Sequence, residues 1–240
     1  MRIAWLRAAG AVFVADPSGA LVWPEQDLLV VADLHLEKGS SLARRGRLLP
    51  PYDTRTTLAR LEAVLARWRS RRVISLGDGF HDAAAAGRLS AEDRARLERL
   101  TTAHEWLWLA GNHDPRPPEG LGGQTEAAVR IAGITFRHLP EPEAEPGEVA
   151  GHLHPSASLT VRGRRLSRRC FVADDRRLVL PAFGSYAGGL DVFDPAIAAL
   201  FAGGFRATLL GDDRVHALAQ HRLQPRDAEP PRGPGRRSRR

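Results

Sequence analysis

A single cysteine, Cys170, stands among the 240 residues, so no intrachain disulfide can form and no thiolate cluster can hold a structural zinc ion. A reducing cytoplasm is the expected setting. Cys170 itself reads as a small apolar filler on a strand. No uninterrupted apolar run is long enough to cross a bilayer. The segment from Ile3 to Val14, which could pass for a signal peptide, is broken by Arg7 and reads as a strand. No membrane partner is expected. Lysine is nearly absent: Lys38 is the only one, and arginine carries almost all the positive charge. There is no internal repeat.

The net charge of +7 and pI near 10.9 point to an anionic partner such as nucleic acid, but the excess is unevenly placed. Residues 222–240 hold seven arginines against Asp227 and Glu229, five of the seven net charges. The body is therefore close to neutral, and the charge by itself argues only weakly for nucleic acid. From Gln224 onward Pro, Gly and Arg dominate without apolar spacing, which predicts a disordered basic tail over 224–240 behind one domain over 1–223. Those arginines either add sequence-independent DNA affinity or serve solubility alone.

What is present is a series of short apolar runs, each ending in Asp, Asn or His. Leu28 to Ala32 leads to Asp33-Leu34-His35, and Val73 to Gly77 leads to Asp78-Gly79-Phe80-His81-Asp82. Trp106 to Ala110 leads to Gly111-Asn112-His113-Asp114, Ile134 to Arg137 leads to His138, and Glu148 to Ala150 leads to Gly151-His152-Leu153-His154. Such runs read as buried strands, and ligands of open α/β sheets gather just beyond the carboxyl ends of strands. The chain thus carries Asp, Asn and His to one edge of a sheet. That pattern describes a metal site.

Between these runs, Leu58, Leu61, Val64, Leu65 and Trp68 recur at helical spacing over Thr54–Trp68, with Asp53 as the expected N-cap. Ser90 followed by Asp93 opens a second helix toward Leu100. The result is a β-α-β-α-β series. A hairpin is expected around Asp16-Pro17-Ser18-Gly19, and short strands from Ala128 onward, with a helix over Pro195–Phe201, read as an antiparallel meander. Two sheets packed together with helices outside are expected. Trp106 and Trp108 alternate on a strand and read as sheet packing.

Carboxylate, imidazole and amide oxygen suit Mn²⁺, Fe or Zn²⁺. Two such ions about 3.5–4 Å apart clamp an in-line displacement at phosphorus, need a shared carboxylate, and make a bridging hydroxide nucleophilic at neutral pH. Asp78, on the central motif, is the natural bridge, and His113 is placed to protonate a leaving oxygen. Around the site, His81 and Asp82 are candidates for phosphate contact or for hydrogen bonds behind the ligands. Lys38, Arg44, Arg45 and Arg47 either bind flanking phosphates or form a solvated basic loop.

Asp33-x-His35, Gly77-Asp78, Gly111-Asn112-His113-Asp114, His138 and Gly151-His152-x-His154 resemble, in full and in order, the signature of the calcineurin-like metallophosphoesterases. The resemblance implies an α/β fold: a two-sheet sandwich with helices on both outer faces. It implies Asp33, His35, Asp78 and His154 on one metal, and Asp78, Asn112, His138 and His152 on the other, with His113 as acid or transition-state stabiliser. A narrower likeness runs through Ala32-Asp33-Leu34-His35-Leu36-Glu37-Lys38-Gly39, Arg45-Gly46, Pro50, Gly77-Asp78-x-Phe80-His81-Asp82 and Pro181 to Gly189. These residues resemble the bacterial branch associated with DNA ligases. That branch implies a Mn²⁺-dependent phosphodiesterase or DNA endonuclease in repair, with an ATP-dependent DNA ligase, helicase or exonuclease as possible partners. Two other readings stand beside it: hydrolysis of a small nucleotide or lipid-linked phosphoester, and a metal-bound scaffold without catalysis. Retention of His113 argues against the scaffold.

Overall fold

The computed structural model describes residues 2–116 and 120–226. One sheet contains β1 (Ala4–Ala8), β2 (Ala11–Ala15), β3 (Leu21–Trp23), β4 (Leu28–Val31), β5 (Arg72–Ser75), β6 (Glu105–Leu109) and β7 (Gln124–Glu126), side by side in that order. The other contains β8 (Ala128–Ile131), β9 (Ile134–Arg137), β10 (Glu148–Ala150), β12 (Arg164–Ala173), β13 (Arg177–Val179), β14 (Arg206–Leu210) and β15 (Val215–Ala219). Their spatial order is β15-β14-β12-β13-β10-β9-β8, and β11 (Ser156–Val161) pairs with β12 off that path. The helices are α1 (Lys38–Ala43), α2 (Asp53–Trp68), α3 (Ala91–Ala103) and α4 (Pro195–Ala198).

Strands β1 to β4 form an antiparallel meander, while β4 to β7 run parallel. Parallel neighbours need crossovers, and α2 and α3 supply them between β4, β5 and β6. In β4, Leu28 and Val30 enter the core between the sheets, and Leu29 and Val31 enter the core beneath α2 and α3. A strand buried on both faces has no polar face to show, which is why its sequence is an unbroken apolar run. Leu58, Leu61, Val64 and Leu65 of α2 fill the helix side, each contributing roughly 1.5–3 kcal/mol by burial. Trp106 and Trp108 lie in the same layer, as sheet packing requires. A third cluster, with Cys170, Val172, Ile197 and Phe201, covers the outer face of the second sheet. Cys170 is a fully buried filler there, and burial pushes its thiol pKa up.

The helix ends carry two corrections. Ser90 accepts from the Asp93 N–H as expected of an N-cap. Asp53 does not cap α2; it is the first helical residue, and its carboxylate accepts from the Gly39 N–H at 2.9 Å. That amide belongs to the open N-terminus of α1, where no side chain of α1 itself caps, so Asp53 serves the neighbouring helix. The helix expected over Pro195–Phe201 ends at Ala198 and continues as tight i→i+3 turns to Phe201. Neither α1 nor β7 is foreshadowed in the sequence, because six residues at the one and three exposed residues at the other carry no apolar period.

Most of the expected tail lies outside the described residues. Its beginning is tied down: the Gln224 N–H bonds the Ser158 carbonyl, and the Arg226 N–H bonds Asp191. Among the described residues no helix is long and apolar enough to cross a membrane.

Candidate metal centre

Every ligand-bearing loop follows the carboxyl end of a strand, and the two sheets bring those ends to one edge. Asp33 and His35 follow β4, Asp78 follows β5, and Asn112 and His113 follow β6. From the second sheet, His138 follows β9, and His152 and His154 follow β10. Strand pairing continues into the loops: the His35 and Leu36 N–H groups bond the Asp78 and Gly79 carbonyls, each at 2.9 Å. Across the sandwich, the Phe183 and Gly184 N–H groups bond the Ala32 and Asp33 carbonyls at 2.8 and 3.0 Å. A Cβ on Gly184 would lie 2.4 Å from the Leu34 carbonyl oxygen, so this glycine permits the approach of one loop to another.

Asp33, His35 and His154 bring their ligand atoms within 4.8 Å of one another, and so do Asp78, His138 and His152. Each group takes residues from both sheets. Metal ions bind nitrogen and oxygen at about 2.0–2.2 Å, so neighbouring ligands on one ion sit roughly 2.8–3.6 Å apart. His35 Nε2 to His154 Nε2 is 3.3 Å, and His154 Nε2 to Asp33 Oδ1 is 3.3 Å. In the other group His138 Nε2 lies 3.2 Å from His152 Nδ1, 3.4 Å from Asp78 Oδ2 and 2.9 Å from Asn112 Oδ1. These are edge lengths of coordination polyhedra, so the residues fit two cations. The His138 Nδ1–H donates to the Leu76 carbonyl at 2.8 Å, which fixes the ring so that Nε2 faces the group.

The backbone at these positions is bent to aim the side chains. Asp33, His35, Asp78, His152 and His154 all take positive φ, between 44° and 67°. Non-glycine residues rarely adopt this region, and it costs on the order of 1 kcal/mol each, offset by the packed loops that hold it. Gly77 and Gly111 leave room at the centre: a Cβ on Gly77 would lie 2.5 Å from the His138 ring, and one on Gly111 would lie 2.2 Å from the Asp78 amide nitrogen.

No family model and no curated protein sequence matches the chain. Among solved structures, the nuclease MPE of Pseudomonas putida superposes with a TM-score of 0.70 at 28% identity, covering 90% of this chain and 100% of that one. The fold is that of the calcineurin-like metallophosphoesterases. YfcE, a phosphoesterase from E. coli, superposes at a TM-score of 0.40 and 14% identity over 80% of this chain and 98% of that one.

Within this metallophosphoesterase framework, Asp78 holds the middle position. Its Oδ1 accepts from the His113 N–H at 2.9 Å, while Oδ2 lies 3.4 Å from His138 Nε2 and 3.9 Å from both His35 Nε2 and His113 Nε2. Burial raises its pKa, but hydrogen bonding and charge from His138, with the His113 amide and His35, outweigh that and hold it at about 2. Burial, with His154, Lys38 and His81, holds His35 down to about 2 against the pull of Asp78. An ionised carboxylate beside a neutral imidazole is the state that ligates metal.

The surrounding candidates divide. His113 is exposed, and its Nδ1 lies 3.0 Å from the His81 carbonyl, so its Nε2 is presented toward Asp78. The His81 ring stacks on His113 with centroids 5.1 Å apart, and burial together with Lys38 and His113 lowers its pKa to about 4. Lys38 starts α1, and both Lys38 and Arg45 face His81 closely enough to depress its protonation. Arg44 is exposed on the segment after α1. The Asp82 carboxylate turns from the ligands: Arg88 holds it bidentately at 2.9 and 2.6 Å, and the Ala84 amide adds a third bond. Sequence reasoning misses Arg88 and assigns no role to Asp114. Asp114 is buried and accepts from the Phe80 N–H at 2.9 Å, tying the loop after β6 to the loop after β5. Burial, opposed by the Phe80 amide and supported by the charge of Asp78, pushes its pKa up to about 7. Its place beside Asn112 and His113 is the signal that points to it.

Proposed function

We infer that the protein is a dinuclear-metal phosphodiesterase that cuts DNA internally and serves DNA repair, working with Mn²⁺ and beside enzymes such as an ATP-dependent DNA ligase. The observation that carries this reading is a pair of adjacent Asp/His groups, with Asp78 in one and 3.9 Å from His35 of the other, in a chain alike over nine-tenths of its length to a nuclease. In this reading Asp33, His35, Asp78 and His154 hold one ion, and Asp78, Asn112, His138 and His152 hold the other. Bound there, two divalent ions supply Lewis-acid charge for the phosphoryl oxygens and acidify water to a nucleophile.

The chain's own groups do the rest. Asp78 faces both groups through Oδ2 while the His113 amide fixes its Oδ1, so one carboxylate sets the spacing of the pair. His113, its ring oriented by the His81 carbonyl, delivers a proton from Nε2 to the departing oxygen. Lys38 and Arg45 supply positive charge beside the scissile group, where phosphate contacts fix register. Asp82 acts at one remove, by anchoring the loop that carries His81 through Arg88.

Covalently closed circular DNA is the deciding substrate because it offers no end. Mn²⁺-dependent conversion to nicked circles, lost in Asp78→Ala, supports the endonuclease. Intact circles alongside brisk hydrolysis of a nucleotide or small phosphodiester would replace it with the small-substrate reading.

A further inference from the structure

The chain between Ser156 and Arg169 contains five arginines and no carboxylate. It folds as the β11–β12 hairpin, in register from Ser156 opposite Arg169 to Val161 opposite Arg164. Its base adjoins the metal centre, because Ser156 comes two residues after His154. The second sheet takes β12 over only from Cys170, which pairs with Leu209. The hairpin therefore projects past the sheet at the edge that carries the ligands. Five residue steps from Ser156 to Val161 span about 17 Å at roughly 3.4 Å per step, comparable to about five base pairs of duplex.

The five arginines do two different things. Arg169 is sequestered against the Ala182 and Gly184 carbonyls, and Arg165 donates to the Pro225 and Arg226 carbonyls, which pins the C-terminal segment along β11. Arg162, Arg164 and Arg168 are exposed. Among the described residues, none of the five pairs with a carboxylate. Arg162 even occupies the first turn position at φ +50°, followed by Gly163 at +73°, where Asn or Gly sits at less cost. A guard against edge-to-edge aggregation could use charge of either sign. An arm of one sign beside a candidate phosphodiester site calls for a polyanion.

The same arm receives the end of the described chain. The Arg226 guanidinium bonds Ser156 Oγ at 2.6 Å and the Gly189 carbonyl at 3.0 Å, beside the loop that carries His154.

We propose that the β11–β12 hairpin is a DNA-backbone arm, with Arg162, Arg164 and Arg168 holding phosphates that flank the one being cut. This rests on the nuclease reading above. The test replaces Arg162, Arg164 and Arg168 with Gln in the full chain and follows duplex binding across salt concentrations, with bis(p-nitrophenyl) phosphate hydrolysis in parallel. Binding should weaken, the slope of log K against log salt should shrink by roughly 0.9 for each phosphate no longer neutralised, and KM for DNA should rise. Small-substrate turnover and melting temperature should hold. An unchanged affinity and slope in the variant overturns the arm. If the parent protein binds duplex with the steeper slope but leaves it uncut, the nuclease reading fails while the arm stands.

Discussion

Asp78 belongs to one Asp/His group and lies 3.9 Å from His35 of the other, so on the proposed reading its removal should have effects at both. Asp78→Ala should abolish phosphodiesterase activity and lower metal stoichiometry at both positions, read by elemental analysis of the purified protein. His113 makes a different case, since it belongs to neither Asp/His group, although its Nε2 lies 3.9 Å from Asp78 Oδ2. His113→Ala should retain both ions and lose on the order of 10²–10⁴ in rate on substrates with poor leaving groups, as for loss of a general acid. A p-nitrophenyl ester, whose leaving group needs little protonation, should suffer much less; equal losses on both would refute the role. Gly111 tests how the centre is built. The Cβ of Gly111→Ala would meet both the amide nitrogen and Oδ1 of Asp78 at 2.2 Å, so the variant should lose metal affinity although no ligand side chain is replaced.

At the scale of elements, the β2–β3 turn and the end of α2 meet on one buried carboxylate. Asp16 accepts from the Ser18 N–H at 2.9 Å, from Arg67 at 2.9 and 3.1 Å, and from the Trp68 indole at 2.8 Å. Burial raises its pKa, but the Ser18, Trp68 and Arg67 bonds outweigh that and set it below the ordinary carboxylate value. A depressed folded-state pKa contributes stability above the unfolded value of about 3.9, and that contribution is lost as pH falls through the folded value. Asp16→Asn should lower unfolding free energy at pH 7 by about 1–3 kcal/mol in urea titrations, with the gap from wild type closing in strong acid. A gap that stayed constant down to acid unfolding would remove the charge from the account. Arg67 is 43% exposed, so solvent screens its share, and the Ser18 and Trp68 N–H donors carry more of the effect.

For the whole molecule, the two Asp/His groups would be fasteners as well as a centre of chemistry once ions are bound. Each draws from loops of both sheets, so ions bound there would join the two layers of the sandwich. Binding to the folded state alone stabilises by about 2.7 kcal/mol at a hundredfold excess over Kd. Chelation should therefore lower the melting temperature, and Mn²⁺ should restore it. Cys170, the sole thiol, lies fully buried behind the second sheet and reports the same event. Its labelling by a thiol reagent should be slow in the native protein and faster after chelation. Labelling that ignored metal would separate the second sheet from the centre.

Much of this architecture was legible because it is local. A strand buried on both faces must be an apolar run, the chain turns at its carboxyl end, and Asp33, Asp78, Asn112, His138 and His152 sit in those turns, where the pattern places candidate ligands. The helix period of α2 and the cap at Ser90 are local in the same sense. Other features depend on groups far apart in sequence. Asp53 went to Gly39 rather than to its own helix, and Asp82 went to Arg88 rather than to the ligands, because each found a hydrogen-bond donor that only packing brought near. His35 meets His154 across 119 residues of separation, and no periodicity encodes that meeting. The basic hairpin was present in the sequence as five arginines, but only the register of β11 on β12 and the pairing of β12 with β14 set it beside His154. The sequence by itself determined which residue types reach the ends of which strands, through burial and turn preference. The tertiary structure alone decided which of them face one another, because that depends on how two sheets stack.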